Sequence, residues 1–175
     1  RCVSIPVAAE IAGAVPAFVT VVALFVDEPR ESIERTLSDV SVDVLQFHGQ
    51  ETPEQCASYQ RPWLKAFRMR PELDLPEACR TYRGARGALL DTWQDGVPGG
   101  TGKTFDWELA RGELVLPVVL AGGLNESNVG DAIRAVRPSA VDVSGGVESA
   151  PGVKDHDRIR QFIAAVREAD EQLNE

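Results

Sequence analysis

The sequence predicts an α/β fold in which helices cover a parallel sheet, and two observations carry this prediction. Short apolar runs with the composition of buried strands alternate with helical segments at a steady pitch. The clearest unit spans residues 117–148, where a strand, a glycine turn, a helix, a strand and a second glycine turn follow one another. Two parallel strands joined by a helix place both turns at the same, carboxyl end of a sheet.

Capping residues and apolar runs predict the individual elements. Ser4 is a candidate N-cap for a first helix, and Thr52 with Pro53 supplies the N-cap and first-turn proline of another. Asn125 is a plausible N-cap for a helix that ends before Pro138. The predicted helices lie near residues 5–15, 31–38, 53–59, 72–82, 106–111, 126–136 and 154–175, and the predicted strands at residues 20–26, 42–48, 63–67, 87–91, 118–121 and 140–144.

The strand count favours a barrel over an open nucleotide-binding sheet. A Rossmann sheet needs only six strands, but its first turn carries G-x-G-x-x-G, which the sequence lacks. A TIM-type (βα)8 barrel has eight strands and roughly 250 residues. We therefore predict a single domain over residues 1–175 with this barrel architecture, lacking strands 1 and 2 and helix 1. Strands 20–26 and 140–144 are then expected to leave unpaired apolar edges.

Composition limits the classes of partner. The chain has 175 residues, of which 43% are hydrophobic, and a net charge of −9 at pH 7. This charge disfavours nucleic acids and anionic membranes, and we expect no membrane association. Three cysteines fit a reducing cytoplasm better than a disulfide framework. With two histidines and no neighbouring cysteines, a metal site is not expected.

The two glycine turns are candidates for a phosphate site. Turns without side chains let backbone N–H groups approach an anion closely, and a hydroxyl adds a further donor. The candidate phosphate-binding residues are Gly122, Gly123, Ser144, Gly145 and Gly146. The alternative is that these glycines merely close tight turns, although two successive strand ends with glycine pairs match the phosphate site of barrel enzymes.

Strand periodicity places four polar residues at carboxyl strand ends, where catalytic groups of barrels lie. Asp91 ends an apolar strand and is a candidate general acid or base, or else a turn aspartate. Gln46 and His48 share one face of their strand, and Asp142 shares a face with Ser144. His48 could equally be structural, and Asp142 could equally orient loops through backbone hydrogen bonds.

The glycine-rich segment at residues 99–104 resembles a nucleotide-binding loop only superficially. The phosphate-loop pattern needs a glycine where this chain has Val97, and the segment begins well beyond its strand. We expect instead a loop that closes over substrate, formed by Gly100 and Gly102, with Lys103 pinning it.

Taken together, five motifs resemble those of one known family, phosphoribosylanthranilate isomerase, a (βα)8 enzyme of tryptophan biosynthesis. The resemblance covers essentially the whole chain. The motifs are QFHG at residues 46–49, LLD at 89–91, GGTGKTFDW at 99–107, LAGGLN at 120–125 and VDVSGGVE at 141–148.

The resemblance implies an Amadori rearrangement of N-(5′-phosphoribosyl)anthranilate to 1-(2-carboxyphenylamino)-1-deoxyribulose 5-phosphate, without metal or organic cofactor. Asp91 matches the family's general acid, which protonates the ribose ring oxygen. Arg1 matches an arginine that helps to hold the anthranilate group, and the two glycine turns match the phosphate loops. The general base of the family is a cysteine in a Lys-[Ile/Val]-Cys-Gly motif.

The sequence departs from the family pattern in two places. Gly145 stands where the family commonly has a second serine, which removes one hydroxyl donor but leaves the backbone amides. No Lys-Ile-Cys-Gly segment occurs, and Cys2 falls on an aromatic position of the arginine motif, so it does not replace the base. We therefore expect very low activity from the chain as given.

Two other functions stay open at this point. One is another phosphosugar barrel enzyme, such as indole-glycerol-phosphate synthase, whose lysine pair the sequence lacks. The other is a non-catalytic barrel fragment that binds phosphosugars. Fusion to, or association with, a neighbouring enzyme of the tryptophan pathway is also compatible with the sequence.

Overall fold

The computed structural model describes residues 2–92 and 104–174 as an α/β fold. Within these residues the helices are α1 (Ile5–Gly13), α2 (Arg30–Asp39), α3 (Pro53–Ala57), α4 (Leu75–Thr81), α5 (Val129–Val136) and α6 (His156–Asn174). The strands are β1 (Val22–Phe25), β2 (Val44–Phe47), β3 (Trp63–Met69), β4 (Gly87–Thr92), β5 (Val118–Leu120), β6 (Ala140–Val141), β7 (Glu148–Ala150) and β8 (Val153–Lys154).

Strands β1 to β6 form one sheet in the order of the sequence, and the registered pairs are parallel. The six predicted strands are thus all present, and the α/β class is confirmed. Strands β7 and β8 form a separate antiparallel hairpin, which the sequence analysis missed. None of the described helices is both long and apolar enough to cross a membrane.

The chain divides into two compact units, with strand β3 running through both. The first unit is Arg1–Ala66 with Thr81–Gly87, and the second is Phe67–Arg80 with Ala88–Glu175. The expectation of one domain over residues 1–175 stays a prediction.

An aromatic cluster on the buried face of β2 forms the core of the first unit. Phe47 is fully buried, and its ring lies 5.9 Å from that of Tyr59 and 6.4 Å from those of Phe25 and Trp63. Because side chains alternate along a strand, the packing of Phe47 on one face directs its neighbours Gln46 and His48 to the other.

A buried ion pair links the loops that follow β1 and β2. Lys65 on β3 donates to the carboxylate of Glu51 (3.0 Å) and to the carbonyl of Gly49 (2.6 Å). The other contacts of the Glu51 carboxylate are the N–H of Asp27 (2.8 Å) and the N–H of Gly49 (2.9 Å). Lys65 and Glu51 are both almost inaccessible to solvent, so each charge depends on the other and on these hydrogen bonds.

The same contacts determine the ionisation of Glu51. Burial alone would raise the pKa of this carboxyl, but the hydrogen bond from the Asp27 N–H and the contact with the Lys65 ammonium outweigh burial. The pKa of Glu51 is therefore lowered from its ordinary value.

The second unit is built on strands that are buried on both faces. The first four residues of β4 are all buried, as expected for an interior parallel strand. Helix α5 buries Val129, Ala132 and Ile133, and a hydrogen bond of 2.9 Å from Arg134 to Gln172 ties it to α6.

Three predicted boundaries in this unit are wrong, each for a local reason. Helix α5 begins at Val129 instead of residue 126, because the Asn125 side chain accepts from the N–H of Ser127 and holds residues 126–128 in a turn. The ladder of β6 stops at Val141 instead of residue 144, before a 3-10 turn at Gly145–Val147. Helix α6 begins at His156 instead of residue 154, because Lys154 pairs with β7.

The end strands of the described sheet are β1 and β6. On and beside β1, the apolar side chains of Val22, Leu24 and Val26 are about half exposed. This matches the expected apolar edge at residues 20–26.

Replacing Lys65 with methionine is expected to lower the free energy of unfolding by about 3–5 kcal/mol, because the Glu51 carboxylate would lose its buried counter-charge. Urea denaturation measures the change. Arg80→Met is the matched control, since it also breaks an ion pair, but one in which both side chains are more than half exposed. That variant should change stability by at most about 1 kcal/mol, and equal losses in the two variants would contradict the role of the buried pair.

The stabilisation by Glu51 should disappear in acid. A carboxyl whose pKa is lower in the folded chain than its ordinary 4.5 contributes stability that is fully present above pH 4.5. That stability is lost as the pH falls through the folded-state pKa. The difference in unfolding free energy between the wild type and Glu51→Gln should therefore be constant near neutral pH and shrink below pH 4.5. A difference that grows on acidification would contradict this assignment.

Candidate active site

Asp91 lies at the carboxyl end of β4, as predicted. Its side chain is half-buried, and its Oδ1 accepts a hydrogen bond of 2.8 Å from the N–H of Thr92. The carboxyl group is thus held at the rim of the sheet and is not sealed inside the core.

The turn after β5 lies directly against this end of β4. Gly122 and Gly123 have φ values of +83° and +68°, which favour glycine. A Cβ on Gly122 would lie 2.3 Å from Thr92 Oγ1, 2.5 Å from Thr92 N and 3.0 Å from Asp91 Oδ1. The backbone of Gly122 therefore packs against the candidate acid Asp91 and its neighbour Thr92, and only glycine fits there.

Asn128 holds this turn in place. Its side-chain amide donates to the carbonyl of Gly123 (3.0 Å), and its side-chain oxygen accepts from the N–H of Asn125 (2.9 Å). Asn128 is also the residue directly before α5, the N-cap position that was predicted for Asn125.

The turn after β6 packs against the turn after β5. The N–H of Asp142 donates to the carbonyl of Leu120 (2.8 Å), so the ends of β5 and β6 stay aligned. Asp142 and Ser144 are exposed. A Cβ on Gly146 would lie only 1.9 Å from the carbonyl oxygen of Leu124, so the two loops meet backbone to backbone.

Gln46 and His48 are the other predicted site residues that the structure describes. Gln46 and His48 belong to the first unit, where Gln46 Nε2 and His48 Nδ1 are 3.4 Å apart and therefore lie on the same strand face, as predicted. Arg1, Gly100, Gly102 and Lys103 lie outside the described residues, so their expected roles stay predictions.

Two of the three cysteines are poorly suited to proton transfer. Cys56 on α3 and Cys79 on α4 are fully buried. Burial raises the pKa of the Cys56 thiol to about 11, since the carboxylate of Glu51 adds to burial and the ammonium of Lys65 offsets it only in part. Burial also raises the pKa of the Cys79 thiol. Cys2 is exposed and lies ahead of α1.

Among residues 2–92 and 104–174, no group of three or more His, Cys, Asp or Glu side chains is arranged to hold a metal ion. The described site offers the half-buried carboxyl group of Asp91 beside two glycine turns, with the exposed carboxyl group of Asp142 one residue after β6.

Comparison with known proteins decides the family. The family model described as N-(5′-phosphoribosyl)anthranilate isomerase matches residues 1–165. The chain is 54% identical over 166 residues to the N-(5′-phosphoribosyl)anthranilate isomerase of Pseudomonas syringae pv. tomato, an alignment that covers 95% of this chain and 81% of that relative.

The chain belongs to the N-(5′-phosphoribosyl)anthranilate isomerase family. This is an enzyme family of tryptophan biosynthesis, so the predicted family is confirmed.

Solved structures of the family share its fold. The phosphoribosylanthranilate isomerase of Thermotoga maritima superposes with a TM-score of 0.81 at 40% identity, covering 94% of this chain and 81% of that one. A second isomerase structure, in complex with reduced 1-(o-carboxyphenylamino)-1-deoxyribulose 5-phosphate, has a TM-score of 0.77 at 38% identity, covering 94% of this chain and 80% of that one. The TIM-like character of the fold is therefore shown, whereas the predicted lack of two strands and a helix stays a prediction.

The isomerase fold also contains site neighbours that the sequence analysis missed. Lys154 donates to the carbonyl of Ser144 and to the carboxylate of Glu148, and Arg158 donates to the carbonyl of Glu148, so these residues flank the turn that follows β6. The dipeptide Pro151-Gly152 was the available signal, because proline and glycine together mark tight turns and would have revealed the hairpin that carries Lys154.

Gly122→Ala is expected to destabilise the chain more than Gly152→Ala. The two glycines have nearly equal positive φ values, +83° and +80°, but a Cβ on Gly152 would meet nothing within 4 Å. Gly152→Ala therefore measures the backbone strain alone, about 1–2 kcal/mol. Gly122→Ala adds the overlap with Thr92 and should cost at least about 1 kcal/mol more.

Thermal or urea denaturation of both variants measures this difference. Equal losses would show that the turn after β5 can move away from the end of β4, and the close approach described above would then be wrong.

Proposed function

We propose that this chain acts on N-(5′-phosphoribosyl)anthranilate, with Asp91 as the general acid and the two glycine turns as the phosphate site. The single observation that carries the proposal is the packing at the rim: Gly122 lies against Asp91 and Thr92, and Gly146 lies against Leu124. One substrate with a sugar ring and a terminal phosphate can reach both the carboxyl group and the two turns.

The proposed reaction begins with proton transfer from Asp91 to the ribose ring oxygen. The bond between C1 and the ring oxygen breaks, and the nitrogen lone pair forms a C1=N iminium. Loss of the C2 proton to a base then gives an enol-enamine, which tautomerises to the ketone of 1-(2-carboxyphenylamino)-1-deoxyribulose 5-phosphate. The half-buried position of Asp91 suits this role, because the carboxyl is accessible to substrate and held by the Thr92 N–H.

The phosphate would be held by local dipoles. The chain carries a net charge of −9, so its overall field repels a phosphate dianion. Backbone N–H groups at the glycine turns and at the start of the 3-10 turn Gly145–Val147 supply the compensating attraction. We assign Gly122, Gly123, Ser144, Gly145 and Gly146 to this site.

The remaining contacts to substrate are assigned by resemblance and position. Following the resemblance, we propose Arg1, Gln46 and His48 as substrate-binding residues of the first unit, and Asp142 as one of the second unit. Gly100, Gly102 and Lys103 are proposed to close over the bound substrate.

We further propose that no cysteine of the 175 residues is the general base. Cys56 and Cys79 are buried with raised pKa values, and a thiol acts as a base only as its thiolate. Cys2 is exposed and precedes α1, and it falls on an aromatic position of the family's arginine motif. Among these 175 residues, the acid and the phosphate loops would then have no cysteine base, which favours binding of phosphosugars without turnover as the second candidate function. The free thiols also fit the cytoplasm as its location.

Calorimetric titration with reduced 1-(o-carboxyphenylamino)-1-deoxyribulose 5-phosphate tests the binding part. The 175-residue chain should bind this analogue and should lose most of its affinity when the phosphate is removed from the ligand. Equal affinity for the two ligands would contradict the phosphate site.

Turnover of N-(5′-phosphoribosyl)anthranilate tests the catalytic part. Without its base, the chain should be at least about 10²-fold slower than the Pseudomonas syringae relative, since general acid–base catalysis contributes about 10²–10⁴-fold. Equal rates would overturn the assignment of the base. Binding with no turnover at all, even with enzyme in excess over substrate, would favour the second candidate function.

Asp91→Asn should keep analogue binding within about threefold while lowering the remaining turnover by about 10²–10⁴-fold, because the amide cannot donate the proton. Asp106→Asn is a suitable control, since that carboxyl is exposed and caps the 3-10 turn Trp107–Ala110. Parallel loss of binding and turnover in Asp91→Asn would instead indicate a binding role for Asp91.

A further inference from the structure

The turn after β6 is held from one side by an ammonium group. Lys154 Nζ donates to the carbonyl oxygen of Ser144 (2.9 Å) and to Glu148 Oε1 (2.9 Å). The Glu148 side chain is almost fully buried, whereas 43% of the Lys154 side chain is exposed. Lys154 therefore fastens the start of the turn to its end.

Two further contacts hold carbonyl groups at the end of this turn and at the start of β7. The N–H of Asp155 donates to the carbonyl of Val147 (2.8 Å), and Arg158 Nη1 donates to the carbonyl of Glu148 (2.7 Å). Lys154, Asp155 and Arg158 lie in the chain segment that contains β8 and the first turn of α6. Three carbonyls between Ser144 and Glu148, in and beside the turn, thus receive donors from one neighbouring chain segment.

Because of the geometry of the peptide bond, a hydrogen bond to the Ser144 carbonyl also fixes the direction of the Gly145 N–H. In a trans peptide the carbonyl and the following N–H point in opposite directions, and the described residues contain no cis peptide bond. Because Lys154 holds the Ser144 carbonyl, the N–H of Gly145 is directed away from Lys154. The contact of Gly146 with the carbonyl of Leu124 prevents the turn from rotating as a unit.

We propose that Lys154 is a positioning residue for a phosphate monoester bound at this turn. It acts by fixing the peptide between Ser144 and Gly145, and it does not itself contact the phosphate. Glu148 compensates the charge of Lys154, so the ammonium contributes orientation more than attraction. The inference rests on the proposed phosphate site and adds a residue that orients a backbone N–H donor of that site.

The test compares dissociation constants for two ligands, the reduced phosphorylated analogue and its dephosphorylated counterpart. Lys154→Met removes both hydrogen bonds at nearly constant side-chain length, and Lys154→Arg retains a cationic donor. Arg160→Met is the matched control, because Arg160 also carries a positive charge near the start of α6 but pairs with Asp157 on the exposed surface.

Lys154→Met is expected to raise the dissociation constant of the phosphorylated ligand about tenfold, the effect of losing a hydrogen bond from a charged donor. Its dissociation constant for the dephosphorylated ligand should stay within about twofold of the wild-type value. A general loss of structure would instead raise the dissociation constants of both ligands. Lys154→Arg should recover part of the affinity, and Arg160→Met should resemble the wild type with both ligands.

Several results would overturn the inference. One is an unchanged affinity of Lys154→Met for the phosphorylated ligand. Another is a loss of affinity in Lys154→Met that is equal for the two ligands. A third is a loss of affinity in Arg160→Met as large as that in Lys154→Met. Tighter phosphate-dependent binding in Glu148→Gln would also overturn it, because that result would mean that the freed ammonium binds the phosphate directly. If Lys154→Met does not fold, Lys154→Arg and Glu148→Gln still decide between these possibilities.

The proposed function fails separately. A wild-type chain that binds both ligands equally has no phosphate site, whatever Lys154 does. If the wild-type chain prefers the phosphorylated ligand and Lys154→Met binds that ligand with unchanged affinity, the proposed function stands and only the role of Lys154 is refuted.

Discussion

The candidate site depends on two places where backbone packs against neighbouring residues with no room for a side chain. At Gly122 the obstacle is Thr92, at the end of β4, and at Gly146 it is the carbonyl of Leu124. These contacts join the ends of β4, β5 and β6 into one rim, because each loop is held against the next. The parallel sheet aligns the strand ends. The two glycines allow the loops that follow these strands to pack closely against their neighbours.

The same rim is braced from outside the site. Asn128 holds the turn after β5 through its side-chain amide, and Lys154 and Arg158 hold the carbonyls of Ser144 and Glu148 on either side of the turn after β6. In the first unit, the buried pair of Glu51 and Lys65 performs an equivalent task for the loops after β1 and β2. In each case a polar side chain satisfies the backbone groups that a loop cannot pair within itself. Specific side chains therefore help to hold each of these loops in position.

Much of the fold could be predicted from sequence because apolar runs and turn residues are local signals. All six strands of the sheet were predicted, and β3 matches its predicted start at Trp63. Boundaries failed where a side chain competed with the helix, as Asn125 does by accepting from Ser127. The β7–β8 hairpin was missed because both strands are very short and were absorbed into the predicted helix at residues 154–175.

The candidate site also contains residues that could be predicted from the sequence and residues that could not. Asp91 and the glycine pairs were predictable because they follow apolar strands directly, and strand direction then placed them at one edge. The bracing residues were not predictable, because Glu51 and Lys65 lie 14 positions apart and Lys154 reaches a backbone carbonyl 10 positions away. No periodicity in the sequence signals a contact between a side chain and a distant carbonyl.

The claim that the acid and the two turns share one rim can be tested most directly by nuclear magnetic resonance. Reduced 1-(o-carboxyphenylamino)-1-deoxyribulose 5-phosphate would be titrated into the ¹⁵N-labelled chain while backbone amide shifts are followed. If the acid and the two turns share one rim, the largest shifts should occur together, over the same range of ligand concentration, for Gly122, Gly123, Gly145, Gly146 and Thr92, with little change at Gly13 or Gly152. Shifts confined to one of the two turns, or centred away from both, would contradict it.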